Sequence, residues 1–161
     1  TIRLDRHRPR ALIDDVRAAG ARIALISDGD LTAMLATAVP TSGVDVVMGI
    51  GGSAEGVLAA AALKCVGGDM QAQFHPRDPE EEKALRAAGY QKRDYVLRVD
   101  DIVRGESTMF AATGITTSDV MLGVQFVPGG AVTHSIVMRS QSGTVRQITA
   151  HHRFDRKPVY T

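Results

Sequence analysis

Two short stretches carry side chains whose types and spacing could do chemistry. From Gly49 to Cys65 the chain reads GIGGSAEGVLAAAALKC, four glycines and a glutamate between a run of β-branched residues and an alanine-rich segment. Glu55 is the residue to explain, because a glycine-rich loop that opens a helix ordinarily receives an anion on bare backbone N–H groups. The helix dipole stabilises a carboxylate there by about 0.3–1 kcal/mol, so helix formation accounts for the acid. It does not account for the glycines. A divalent cation reconciles the two: the carboxylate binds the cation, the cation binds a phosphate oxygen, and the glycine backbone lets the substrate approach closely. The second stretch is Asp28-Gly29-Asp30, directly after a β-like run and before a helix-like one. Asp30 can act there as a helix N-cap within an Asx turn. Two short carboxylates around a glycine can equally grip sugar hydroxyls or a metal through their acceptor oxygens.

The glycine loop also satisfies the dinucleotide fingerprint G-x-G-x-x-G/A through Gly49, Gly51 and Ala54, with Asp69 at about the right distance onward. In a dinucleotide fold that acid ends a second strand, whereas Asp69 directly follows the Gly67-Gly68 helix stop and leaves no room for one. Glu55 would also repel the pyrophosphate. A nicotinamide-binding module built on Gly49 and Gly51 is therefore the rival reading. His7, His75, His134, His151 and His152 show no ligand spacing on a common helix and read as surface or hydrogen-bonded structural residues. Cys65, on the alanine-rich segment, reads as an inert core residue. For RSQSGTVR, Arg139 to Arg146, a hairpin turning at Ser142-Gly143 is favoured over a cationic phosphate clamp.

The elements that must position these residues follow from periodicity. Pro9 to Ala19 carries Leu12, Ile13 and Val16 at helical spacing, and Gly20 supplies a left-handed stop. Arg22 to Ser27 is a β-like run, LTAMLATAV has helix-forming composition closed by Pro40, and Val44 to Met48 is β-like again. Strand, helix and strand with short connections predict a right-handed βαβ crossover and a parallel sheet. Ligands collect at the carboxyl ends of such strands, where both chemical stretches lie. Glu55 to Val66 is expected to form a buried helix stopped by Gly67-Gly68, and MQAQF a strand. Asp78, Pro79 and three glutamates supply the N-cap, the first helical position and the first-turn acids of a helix running to Gly89. Beyond Asp94 the runs YVLRV, TMFAAT, VMLGVQFV, AVTHSIVMR and TVRQITAHH predict mostly antiparallel sheet.

With 161 residues, 44% of them hydrophobic, the chain is long enough for a single α/β domain, residues 1–161, with a real core. Nineteen basic against eighteen acidic side chains leave a net charge of +1, so no global field points to nucleic acid or an anionic membrane surface. A single cysteine excludes an internal disulfide framework and fits a reducing cytoplasm. No stretch has the length and apolarity of a membrane span, and the opening TIRLDRHRPR is unlike a signal peptide. The expected setting is therefore the cytoplasm. The first residue is Thr1 rather than methionine, which suggests a piece of a larger protein.

Taken together, LDRHRPRALIDDVRAAGARIALISDGD, GIGGSAEGVLAAAALKCVGGDMQ, ATGIT and RSQSGTVRQITAHH make the chain resemble the C-terminal half of a class II fructose-1,6-bisphosphatase. The similarity runs over nearly the whole chain, and in this order the motifs are specific. The resemblance implies the layered α/β sugar-phosphatase fold shared with inositol monophosphatases, here its C-terminal half, with parallel βαβ units followed by a mostly antiparallel sheet. It implies hydrolysis of the 1-phosphate of fructose-1,6-bisphosphate to fructose 6-phosphate, a step of gluconeogenesis, with Mg²⁺ or Mn²⁺. Sedoheptulose-1,7-bisphosphate would be a second substrate, and a homo-oligomer the expected assembly. Carried over by position, Glu55 would be a metal ligand and Gly52 a backbone contact to substrate. Asp28, Gly29 and Asp30 would hold the sugar, and Arg8 the phosphate that is not cleaved. Two departures stand out: the sequence reads HRP around Arg8 where the family has PRH, and Ala54 replaces a proline at the helix start. The family's remaining metal ligands, its water-orienting threonine and a substrate-binding tyrosine belong to an N-terminal half. No catalytic residue is therefore assigned in this half, and alone it is expected to be inactive. Another sugar or inositol phosphatase of the same fold, or a non-catalytic half, are the alternatives.

Overall fold

The first strands form a three-stranded parallel sheet in the order β2-β1-β3, from β1 (Ile2–Asp5), β2 (Ile23–Ile26) and β3 (Val46–Met48). The computed structural model describes residues 2–5, 10–26, 30–90 and 95–156. Asp5 lies opposite Ile26 and Leu4 opposite Met48, so the carboxyl ends of all three strands are level. Helix α1 (Arg10–Ala18) joins β1 to β2, and α2 (Asp30–Ala36) joins β2 to β3. The parallel arrangement agrees with the sequence, but β2 and β3 are not neighbours, because β1 stands between them. Four residues, IRLD, running into a charged segment are too short a pattern to separate strand from loop, and only pairing on both sides makes them a strand.

The next helix, α3 (Ser53–Val66), carries the glycine loop at its start and the core on its flank. Ala59, Ala60, Ala62, Leu63 and Cys65 are buried, and the alanines let neighbouring elements approach closely. Gly67 ends the helix at φ 75°, and the Gly68 N–H closes back onto the Leu63 carbonyl at 3.0 Å, as the sequence predicts. The second sheet contains β6 (Met109–Thr113), β7 (Gln125–Val127), β8 (Gly130–Arg139) and β9 (Thr144–Arg153). All its pairs are antiparallel: β8 takes β9 along one side and β6 and β7 along the other. Leu35 of α2, Ala62 and Cys65 of α3, Phe110, Ile136 and Met138 form one buried cluster that holds α3 between α2 and the antiparallel sheet. The chain is thus a mixed α/β structure.

Between α3 and β6 lies an excursion: β4 (Gln71–Ala72) pairs antiparallel with β5 (Leu97–Arg98), and α4 (Pro79–Ala87) lies between them in sequence. MQAQF supplies only the two residues of β4. YVLRV likewise supplies only β5, after which the chain turns into the short helix α5 (Val99–Ile102). The cause is local, since the Asp101 carboxylate accepts the Arg98 backbone N–H at 2.8 Å and ends the strand by capping a helical turn. VMLGVQFV is also shorter than expected. A Cβ at Gly123 would meet Ile115 O, Thr116 C and Thr117 N at 2.7 Å, so the chain folds there as a tightly packed loop before β7.

Candidate functional site

The strand order reverses about β1: the chain goes from β1 out to β2, then back across to β3 on the other side. In an open parallel sheet the crevice at such a reversal, at the carboxyl ends of the strands, is where ligands bind. The segments following β1, β2 and β3 are those that carry Arg8, Asp28-Gly29-Asp30, and Gly49 to Glu55. Arg8, Asp28 and Gly29 lie outside the described residues. Asp30 is the first residue of α2. Gly52 and Glu55 are described in full.

Gly52 is the N-cap of α3, with an extended backbone at φ −67° and ψ 152° and no side-chain cap on the helix. Its carbonyl accepts the Gly56 N–H at 3.1 Å, the first bond of the helix. The N–H groups of the first turn therefore open towards the glycine loop, unclaimed by a capping side chain. Glu55, at the third helical position, is exposed, and its carboxylate folds back over Gly52. A Cβ built on Gly52 would run into Oε2 of Glu55 and stand 3.2 Å from its Cδ. The acid thus faces the loop at the end of β3 and does not extend along the helix. At the other end of α3, Lys64 donates to the Asp100 carboxylate at 2.8 Å and to the Val103 carbonyl at 2.7 Å, fixing the helix against α5.

Glu55 can offer two carboxylate oxygens to a cation, which suits Mg²⁺ or Mn²⁺. One carboxylate is one ligand, and such a site needs several. Among the described residues no group of three or more His, Cys, Asp or Glu side chains could hold a metal. Two of the described histidines are hydrogen-bonded, His152 Nε2 with Thr133 Oγ1 at 2.8 Å and His134 Nδ1 with Thr149 Oγ1 at 3.3 Å, while His134 Nε2 is buried without a partner among the described residues and His75 and His151 are exposed. His7 lies outside the described residues. Burial pushes the Cys65 thiol up, as suits an unreactive core residue. Arg139 to Arg146 forms the tip of the β8–β9 hairpin, with Gly143 at φ 58° and Arg139 opposite Thr144. The dinucleotide reading fails on Asp69, which pairs with Arg98 at 3.2 Å and precedes an antiparallel strand.

A parallel sheet reversing about its central strand, with a glycine loop and a helix-borne carboxylate following its last strand, places the chain in the α/β class. The sequence profile of the family described as "Bacterial fructose-1,6-bisphosphatase, glpX-encoded" matches residues 1–152. The chain belongs to that family. It is 41% identical over 170 residues to the "D-fructose 1,6-bisphosphatase class 2/sedoheptulose 1,7-bisphosphatase" of Microcystis aeruginosa, covering 98% of this chain and 49% of that protein. Proteins of the same description from two Synechococcus strains, JA-2-3B'a(2-13) and JA-3-3Ab, are each 39% identical over 164 residues, covering 94% of this chain and 47% of theirs. The chain thus spans about half the length of the curated relatives it matches.

Proposed function

We propose that this chain is the substrate-facing half of a metal-dependent sugar bisphosphatase, which releases the 1-phosphate of fructose-1,6-bisphosphate and acts also on sedoheptulose-1,7-bisphosphate. Family membership supports the reaction class, and the names of the relatives support the two substrates. The single observation that carries the site is the Glu55 carboxylate turned back over Gly52 at the strand-order reversal. A bound Mg²⁺ or Mn²⁺ would neutralise charge on the phosphoryl group and its leaving oxygen. The chain's own residues bind and orient. Glu55 would hold the cation at the mouth of the loop, and the backbone at Gly52 would admit the phosphorylated sugar closely. Asp28, Gly29 and Asp30 hold the sugar hydroxyls, while Arg8 takes the phosphate that stays, so the reacting phosphorus is presented in one orientation. The further metal ligands come from the half of the family's length that this chain does not span, within the layered sugar-phosphatase fold. The complete enzyme works in the cytoplasm as a homo-oligomer.

The test is Glu55→Gln in the complete enzyme that contains this chain. Phosphate release from fructose-1,6-bisphosphate, sedoheptulose-1,7-bisphosphate and inositol phosphate is measured side by side with saturating Mg²⁺ or Mn²⁺. We expect both bisphosphates to be cleaved and inositol phosphate to be spared, with a loss of about 100-fold or more in the variant. Full turnover of the variant would remove Glu55 from the site. Preferred cleavage of inositol phosphate would overturn the substrate assignment.

A further inference from the structure

We infer that Gly52 is a positioning residue for Glu55: the missing side chain at 52 is the seat into which the Glu55 carboxylate folds. The inference rests on the metal-holding role proposed above and adds a second residue to it. Glycine is usually kept where a backbone must turn left-handed or where another backbone passes too close for a Cβ. Neither holds at position 52. Its φ of −67° and ψ of 152° suit any residue, unlike Gly67 at 75° or Gly143 at 58°. At Gly114, Gly123 and Gly130 the atoms in the way are mainly backbone, which cannot yield. At Gly52 the three nearest atoms all belong to the Glu55 carboxyl group: Oε2, then Cδ at 3.2 Å and Oε1 at 3.8 Å. That group is the free end of a flexible side chain. A Cβ at 52 would leave the fold standing and swing the carboxylate out of the loop, away from where the cation must sit.

A capping role makes the opposite prediction, which gives the test its edge. Serine is a far better N-cap than alanine and at least as good as glycine, so Gly52→Ser should hold or raise the stability of α3. It nevertheless carries a Cβ. Four forms of the complete enzyme are compared: wild type, Gly52→Ser, Glu55→Gln and the double variant. Free Mn²⁺ is followed by electron paramagnetic resonance without sugar phosphate, so that contact between residue 52 and substrate does not enter. We expect Gly52→Ser to melt no lower than wild type yet to bind Mn²⁺ about 10–100-fold more weakly, the usual effect of losing an outer-shell support. In the Glu55→Gln background the same substitution should cost nothing further, because the group it displaces is already gone. A crystal structure of the complete Gly52→Ser enzyme should show the Glu55 side chain in a different rotamer. If Glu55→Gln loses Mn²⁺ while Gly52→Ser keeps wild-type affinity, the positioning role is wrong and the metal reading stands. If Glu55→Gln itself keeps wild-type affinity, the metal reading falls and the positioning role falls with it.

Discussion

Replacing Ala62 by leucine tests whether α3 is held in place by close packing. Ala62 is fully buried, in the cluster where Leu35, Cys65, Phe110, Ile136 and Met138 meet. Leucine adds three carbons with almost no change in helix propensity, so the backbone term is small. If room existed beside the helix, burying those carbons would stabilise the chain by roughly 2.4 kcal/mol at about 0.8 kcal/mol each. If the cluster is filled, overpacking destabilises it by about 1–3 kcal/mol. The two cases differ in sign. For a chain of this size 1 kcal/mol shifts the melting temperature by roughly 2–4 °C, so the filled core predicts a fall of about 2–12 °C. Calorimetric melting of the chain reads it directly. Leu58→Ala on the same helix is the control, since Leu58 is 49% exposed and its truncation should cost less than about 1.5 kcal/mol. A rise in melting temperature for Ala62→Leu would show a void beside α3 and refute the close packing of that helix.

Two further outcomes follow. Burial raises the Cys65 thiol above its ordinary value, so folding favours the neutral form. That contribution is complete below the unfolded-state value of about 8.5 and is lost as pH rises through the higher folded-state value. The urea midpoint should therefore decline above about pH 8.5 and flatten there in Cys65→Ala, and native Cys65 should react with a disulfide reagent far more slowly than an unfolded thiol; equal rates would contradict its burial. At α4, Asp78 Oδ1 accepts the N–H groups of Glu80 at 3.0 Å and Glu81 at 2.8 Å, but no residue of that helix is buried. Asp78→Ala should cost about 1 kcal/mol locally, seen as roughly fivefold faster amide exchange at Glu80 and Glu81 with little change in melting temperature. A large fall in melting temperature would show that α4 supports the core.

What could be read from the sequence was whatever a few adjacent residues decide. Asp78-Pro79 with its acids, the Gly67-Gly68 stop and the Ser142-Gly143 turn each carry their own cause, and each appears where expected. The position of Gly52 and Glu55 at the start of α3 was legible for the same reason, because a glycine loop opening a helix is a local pattern. The misses came from pairing and from competition. β1 becomes a strand only because β2 and β3 both bond to it, information that lies 20 and more residues away. YVLRV has the composition of a strand, but the Asp101 cap two residues beyond it wins and starts α5. The carboxylate folding back over position 52 was not legible at all, since spacing fixes a helix face and not a rotamer.

The strand order turns these separate motifs into one argument about the site. Had β2 and β3 paired directly, β1 would lie at one side of the sheet. With β1 central, the strand whose sequence runs on into Arg8 stands between the other two strands. The proposed bisphosphate substrate needs three contacts: one charged end held, the sugar gripped, the other end offered to a cation. An exposed single carboxylate binds a hydrated divalent ion only weakly, because the ion gives up its water reluctantly for one ligand. The proposed chemistry therefore needs the complementary half for its remaining ligands. On the proposed function, this chain's share is to fix where the substrate lies relative to the one ligand it would supply.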